Sequence, residues 1–224
     1  GSEMCIRDRS HNGNLTNAAS LRQELAKEGH VFQTTVDSEV VLSLIARSRK
    51  KTLEERVAEA ANAIKGAFAI LIMSNDKLIA FRDPYGFRPL CLGRLDHGWV
   101  VASETCALDL VGAHYVRDIK PGEMIVIDDA DKEPTSLMYA QHQPEHRAHC
   151  IFEFVYFARP DSIMDGESIY LARVNMGRIL ARETKDIKAD IVISVPDSGT
   201  PAAIGYGLEK GIPFLEGLTK NKYI

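Results

Sequence analysis

Across residues 15–65 apolar side chains recur at three- and four-residue spacing, the period of a helix with one buried face. Thr16 or Asn17 is placed to cap a first helix that carries Leu21 and Leu25 and ends near Gly29. Asp37-Ser38-Glu39 opens a second, with Val40, Val41, Leu44 and Ile45 on its apolar face. Thr52-Leu53-Glu54-Glu55 has the form of a capping box for a third, with Val57, Ala60, Ala61 and Ile64 inside. The pattern then changes. Ala67 to Met73 and Leu78 to Arg82 read as strands around an Asn75-Asp76 turn, and Leu90 to Arg94 and Trp99 to Ser103 flank Asp96-His97-Gly98. Tyr115 to Ile119 and Met124 to Ile127 flank the turn Lys120-Pro121-Gly122-Glu123. Helices followed by antiparallel hairpins predict α+β layering, with helices covering a sheet.

Asp128 to His149 is polar, carries Pro134 and Pro144, and has little periodicity, which predicts a domain boundary or a surface connector. Beyond it the pattern is α/β. Ser168 to Thr184 predicts a helix with Leu171, Val174, Ile179 and Leu180 apolar. Ile191 to Val195 is a continuous apolar run, as a strand buried on both faces of a parallel sheet requires. A loop, a helix from Pro201 to Lys210 and a strand from Ile212 to Leu215 complete one βαβ unit. One such unit cannot cover both faces of its sheet, so more of a doubly wound sheet is expected beyond Ile224. Residues 1–9 are charged and patternless and read as a non-native tail or scar. The expected boundaries are therefore a tail at 1–9, a first domain at 10–145 and a second at 146–224.

Composition removes several classes. Of 224 residues, 45% are apolar and 26% charged, the balance of an ordinary globular protein. A net charge of −4 argues against nucleic-acid binding through bulk charge. Apolar runs such as Ala67 to Met73 are too short to span a bilayer, so no membrane partner is expected. The four cysteines, at 5, 91, 106 and 150, form no CxxC pair and are too widely spaced for a disulfide scaffold. With no apolar secretory segment at the start, a reducing, cytoplasmic setting is expected.

Each candidate motif has a plain and a sharper reading. Asp197-Ser198-Gly199-Thr200 lies between a strand and a helix start, where backbone N–H groups bind anions. It is either a phosphate cradle or an ordinary βα turn, and its place at the carboxyl end of a parallel strand favours the cradle. His11-Asn12-Gly13-Asn14-Leu15 reads as a tight polar turn before a helix; an Asn amide beside a Gly N–H can also form an oxyanion hole. Asp37 reads as a helix cap, or as a carboxylate for an amino acid's α-ammonium group. Arg82 to Leu90 packs two Arg, two Pro and a Gly into nine residues, a rigid turn with an Arg–Asp pair or a scaffold stiffening a pocket. Cys91 and Cys106 read as core residues. Cys150 has His146 and His149 nearby, which read as solvated histidines rather than metal ligands.

Together these stretches are far more specific than singly. His11 to Asn17, Thr35 to Glu39, Arg82 to Leu90 and Ala102-Ser103-Glu104-Thr105 resemble the glutaminase half of class II glutamine amidotransferases. Phe152 to Ser162 and Val195 to Gly199 narrow the resemblance to the amidophosphoribosyltransferase family, over nearly everything from His11 to Ile224. That resemblance implies an Ntn-hydrolase α/β/β/α sandwich, without its N-terminal strands, followed by the start of a type I phosphoribosyltransferase fold. It implies glutamine hydrolysis, passage of ammonia through a channel, and displacement of pyrophosphate from phosphoribosyl pyrophosphate (PRPP) to give 5-phosphoribosylamine for purine synthesis. Glutamine and PRPP are the implied substrates, purine nucleotides the inhibitors, and the full-length protein a homo-oligomer.

Carried onto this chain, the resemblance makes Asn12 and Gly13 the oxyanion hole. Gly13 and Asp37 hold glutamine, Asp37 through the α-ammonium group. Phe152 and Tyr156 lie between the two sites. Asp197, Ser198, Gly199 and Thr200 form the pyrophosphate loop, with Ser198 near Mg²⁺. Cys150 matches a [4Fe–4S] ligand of a cluster-bearing subgroup, whose other ligands would follow Ile224. The family's nucleophile is an N-terminal Cys, and Cys5, inside the tail, is rejected for that role. The Arg segment that grips the glutamine carboxylate and the acidic pair of the PRPP strand are not found in this stretch. The chain by itself is thus expected to be inactive and, with open sheet edges, poorly soluble. Two other readings are another class II amidotransferase, making glucosamine 6-phosphate or asparagine, and a non-catalytic module binding PRPP or a nucleotide. The strand and loop at 191–200 argue against the first and the glutaminase-like half against the second.

Overall fold

The structure, a computed structural model, describes residues 8–142, 144 and 146–221. Cys5 and most of the expected tail lie outside the described residues. The chain forms two compact units, one holding residues up to Ser103 and Ala107–His149, the other Glu104–Cys106 and the residues from Cys150 onward.

The first unit opens with strand β1 (Asp8–Leu15), followed by helices α1 (Ala18–Lys27), α2 (Glu39–Arg47) and α3 (Leu53–Ala63). The expected capping box of α3 is present: the Thr52 hydroxyl accepts from Glu55 N, and the Glu55 carboxylate accepts from Thr52 N. Strands β2 (Gly66–Met73), β3 (Leu78–Arg82), β4 (Cys91–Leu95), β5 (Gly98–Ala102), β6 (His114–Asp118), β7 (Glu123–Ile127) and β8 (Thr135–Met138) follow. They form a five-stranded antiparallel sheet in the order β1-β2-β3-β7-β8 and a three-stranded sheet in the order β5-β4-β6.

The alternation of β2 assigns its two faces. Phe68, Ile70 and Ile72 pack with Val41, Ile45, Val57 and Ala61 of the helices, while Ala69 and Leu71 pack with Leu90, Leu92 and Ile119. Strand β3 repeats it, with Ile79 and Phe81 on the helix side and Ala80 on the other. A short helix, α4 (Thr105–Leu110), sets Leu108 against Cys91 and Ala113. The layers are thus helix, sheet, sheet, helix, the α/β/β/α arrangement expected. Glu123 ties the two sheets together: buried in β7, it takes a bidentate bond from Arg117 of β6 (2.9 and 2.7 Å) and one from Ser136 of β8 (2.5 Å).

Three expectations change here. Asp8 and Arg9, assigned to the tail, pair with Met73 and Ile72 as the first residues of β1. The segment 11–15, expected as a turn, is strand throughout, because each residue has a register partner on β2. The polar stretch 128–149 contains β8, which all four exposed residues of Thr135–Met138 had hidden from a burial pattern.

The second unit holds one turn of π-helix (Glu153–Phe157), the two-residue strands β9 (Ile163–Met164) and β10 (Glu167–Ser168), and helices α5 (Ile169–Glu183) and α6 (Thr200–Lys210). Helices α5 and α6 approach through glycine: a Cβ on Gly177 would lie 1.9 Å from Ala202 O, and one on Gly205 2.0 Å from Val174 O. The expected strands at 191–195 and 212–215 reduce to one parallel bridge, Val192 to Phe214. Ile191, Ile193 and Val195 are 48%, 44% and 73% exposed, so the packing that a doubly buried strand needs is not made around them.

Candidate functional site

Among the described residues strand β1 is the edge of its sheet, and the hydrogen bonds around it show which of its N–H groups face outward. Thr16 N donates to Lys65 O at 2.8 Å, toward β2. Leu15 N points the other way and donates to Asp37 Oδ2 at 2.9 Å. N–H groups alternate along a strand, so that of Gly13 faces the open edge with Leu15's. Its neighbour agrees: Phe68, opposite Gly13, spends its backbone on Asp83, accepting from Asp83 N at 2.8 Å and donating to the Asp83 carboxylate at 3.3 Å. Gly13 has φ +138°, and a Cβ there would lie 1.9 Å from Ala67 O, so only glycine lets β1 lie this close to β2.

Asp37 is not the cap of α2. Ser38 holds that position, and Asp37 stands one residue earlier. Its carboxylate accepts from Leu15 N and from Ser38 N (2.7 Å), and His11 Nδ1 lies 3.4 Å from Oδ1. The His11 side chain is 8% exposed; burial lowers its pKa, against the opposing pull of Asp37. The Asp37 side chain keeps 26% of its surface open, and Oδ2, which accepts from Leu15 N, has a lone pair left for a further donor. Asn12 lies on the sheet-to-sheet side of β1, opposite Ala69, and its Nδ2 donates to Ser103 Oγ at 3.1 Å. Asn12, Gly13 and Asp37 are therefore gathered along one stretch of one strand edge, with two backbone N–H groups and a carboxylate in line.

The Arg82–Leu90 segment fixes the strand behind that edge. The buried Arg82 guanidinium donates to the carbonyls of Arg88 (2.6 Å), Ile119 (2.9 Å) and Gly86 (3.0 Å). The fully buried Asp83 carboxylate accepts from the N–H groups of Phe68, Tyr85, Phe87 and Arg88. Burial raises its pKa, with those four bonds opposing. The Tyr139 hydroxyl donates to Arg82 O at 2.7 Å, and burial raises its pKa as well. These contacts hold the segment as a rigid turn, the part that both readings share.

In the second unit, residues 196–198 border a cleft of about 400 Å³ with Tyr156, Arg159, Arg173 and Lys220. Gly199 is the N-cap of α6, Ser194 and Thr200 bond through their hydroxyls at 3.0 Å, and Lys220 Nζ lies 3.7 Å from Asp197 Oδ2. Arg173, 2% exposed, clamps the π-turn by donating to Phe154 O (2.6 Å) and Ala158 O (2.8 Å). Glu104 accepts from Arg159 N (2.7 Å) and Ser162 Oγ (2.8 Å), shaping the same segment. Phe152 and Tyr156, expected between two sites, are 57% and 62% exposed.

For Mg²⁺, Asp197 and Ser198 offer one carboxylate and one hydroxyl, a set that fits an ion held chiefly by a diphosphate. A [4Fe–4S] cluster needs four ligands of the thiolate kind. Among the described residues no group of three or more His, Cys, Asp or Glu is placed to hold a metal ion, and the partners expected for Cys150 in such a cluster would follow Ile224. No described helix is long and apolar enough to cross a membrane. The reach of Ser103 to Asn12, across 91 residues, and the contact of His11 with Asp37 have no signal in the sequence; Ala102-Ser103-Glu104-Thr105 carries no local mark of its partner.

Residues 8–110 match the family described as glutamine amidotransferase domain. An amidophosphoribosyltransferase of Archaeoglobus fulgidus is 46% identical over 222 residues, covering 96% of this chain and 46% of the relative. That of Bacillus subtilis is 45% identical over 215 residues, covering 96% of this chain and 44% of the relative. The solved structure of glutamine PRPP amidotransferase from B. subtilis, complexed with ADP and GMP, superposes with a TM-score of 0.92 at 43% identity, over 100% of this chain and 48% of that one. The chain spans about half the length of the curated relatives it matches.

Proposed function

The chain belongs with the amidophosphoribosyltransferases, and on that premise we propose that its first unit binds glutamine along the open edge of β1 for release of ammonia. The observation that carries this reading is the outward row of Gly13 N–H and the Asp37 carboxylate seated on Leu15 N–H. Two strand residues span roughly 6.8 Å, close to the reach of glutamine from α-nitrogen to side-chain amide. The α-ammonium group pairs with Asp37. The amide carbonyl turns to Gly13 N–H and the Asn12 amide, donors placed for the negative oxygen of a tetrahedral intermediate.

In the second unit, residues 197–200 take the diphosphate of PRPP. The N–H groups at the start of α6 and the Lys220 ammonium supply positive potential. Asp197 and Ser198, together with the substrate's own oxygens, would hold Mg²⁺, which when bound would supply positive charge beside the diphosphate. The enzyme of which the chain is part thereby converts PRPP, glutamine and water into 5-phosphoribosylamine, glutamate and diphosphate. The nucleotides bound in the B. subtilis structure support inhibition by purine nucleotides here. Homo-oligomeric assembly and a cytoplasmic setting belong to the same reading.

Calorimetry with L-glutamine and with PRPP plus Mg²⁺ tests it. Asp37→Asn should lower glutamine affinity at least tenfold and leave PRPP affinity unchanged, since it removes one charge-assisted bond. Unchanged glutamine affinity in the variant, or no glutamine binding by the parent chain, overturns the assignment.

A further inference from the structure

We infer that Ser103 is a positioning residue for the oxyanion site: its hydroxyl fixes the Asn12 side-chain amide so that the second N–H faces the substrate oxygen. This rests on the glutamine reading above and adds to it a residue from a different sheet.

An Asn side chain rotates easily about its last bond, and its amide nitrogen and oxygen have opposite polarity at nearly the same size. An unrestrained amide would present oxygen to a developing negative charge as readily as nitrogen, and would repel it. The bond from Asn12 Nδ2 to Ser103 Oγ, 3.1 Å, restrains the amide in the orientation that turns nitrogen, not oxygen, to that hydroxyl. The nitrogen has two protons, one used on Ser103 and the other without a second protein acceptor among the described residues.

The framework on both sides is stiff. Asn12 sits in register opposite Ala69, one residue from the Phe68–Asp83 bonds. Ser103 directly follows β5, whose Ala102 pairs with Cys91 and accepts from the Cys91 thiol at 3.3 Å. Both partners are half-buried, so water competes weakly for the bond without closing the site. Preorganisation of a donor before charge develops is the main source of oxyanion stabilisation, and here a hydroxyl contributed by the second sheet supplies it.

The test uses the chain as it stands, with three ligands. L-Glutamine and L-glutamate put an oxygen at the proposed oxyanion position. L-Norvaline keeps the α-ammonium and α-carboxylate groups and has no such oxygen. Ser103→Ala should weaken glutamine and glutamate about tenfold, the scale of one hydrogen bond, and leave norvaline within twofold. In ¹⁵N-edited spectra the Asn12 side-chain amide pair should shift in Ser103→Ala, and its ligand response should disappear. Ser103→Thr, which keeps the hydroxyl, should bind all three ligands within about twofold of the parent.

Equal weakening of glutamine and norvaline would assign Ser103 a merely structural role and overturn the inference, as would unchanged glutamine affinity in Ser103→Ala. A parent chain that binds none of the three ligands instead overturns the glutamine reading itself, whatever the variants do. Should Ser103→Ala not fold, Ser103→Cys, of similar size with a far weaker acceptor, is read by the same criteria.

Discussion

Residues 66–73 and 191–195 carry the same kind of apolar run, and the two units treat them in opposite ways. In β2, Phe68, Ile70 and Ile72 are 1%, 0% and 0% exposed, under three helices on one face and a second sheet on the other. In the second unit Ile191, Ile193 and Val195 stay largely open, and the run makes a single bridge to Phe214. An apolar run becomes a strand when neighbours supply both a hydrogen-bonding edge and a covering layer. The first unit supplies both within its described residues. The second builds its contacts instead on α5 and α6, through Gly177 and Gly205, and on the Arg173 clamp.

The sharpest way to break this contrast is truncation of one side chain in each run. Phe81, fully buried between the rings of Phe68 and Tyr139, should cost about 3–5 kcal/mol as Phe81→Ala. Ile193→Ala, at a side chain 44% exposed, should cost under about 1 kcal/mol. Denaturant melts of both variants check this, and comparable losses would mean that residues 191–195 are packed as tightly as β2.

Next in size is Gly13→Ala. Its Cβ must displace the Ala67 carbonyl, and the backbone is held at positive φ, so a loss of about 2–3 kcal/mol is expected in the first unit. Hydrogen exchange should show faster opening of β1 and β2, with α5 and α6 unaffected. Exchange that speeds up equally in α5 and α6 would contradict an effect confined to the first unit.

The smallest effect is in the acid limb of stability. Burial pushes the Glu123 pKa up, but the bonds from Arg117, Ser136 and Lys120 N outweigh it, and the net shift is downward from 4.5. As pH falls below 4.5 the unfolded chain takes up this proton before the folded one does, so stability falls with pH in that window. Stability of the parent chain should therefore fall more steeply below pH 4.5 than that of Glu123→Gln. An identical acid slope in the variant would remove Glu123 as its source.

The contrast also explains what the sequence made legible. Periodicity and the Thr52 capping box located all three helices of the first layer, and turn residues located most hairpins. These signals are local, and local physics decides them. Strand β1 was hidden because His-Asn-Gly-Asn reads as a turn until Gly66–Met73 is laid beside it. Strand β8 was hidden because its residues are all exposed. At the candidate site, residue types indicated Asn12, Gly13 and Asp37, but only the long-range bonds identified the partners. Asp37 turned out to hold Leu15 N–H rather than cap α2, and Ser103 to hold Asn12. No spacing rule encodes contacts between residues 22 or 91 positions apart.

The central claim is that glutamine lies along the open edge of β1, and an NMR titration of the ¹⁵N-labelled chain with L-glutamine tests it most directly. Saturable shifts should concentrate on the Gly13 amide, the Asn12 side-chain amide and the residues around Asp37. Saturation that moves a different region and leaves Gly13 and Asn12 still, or no saturable change at all, would contradict the claim.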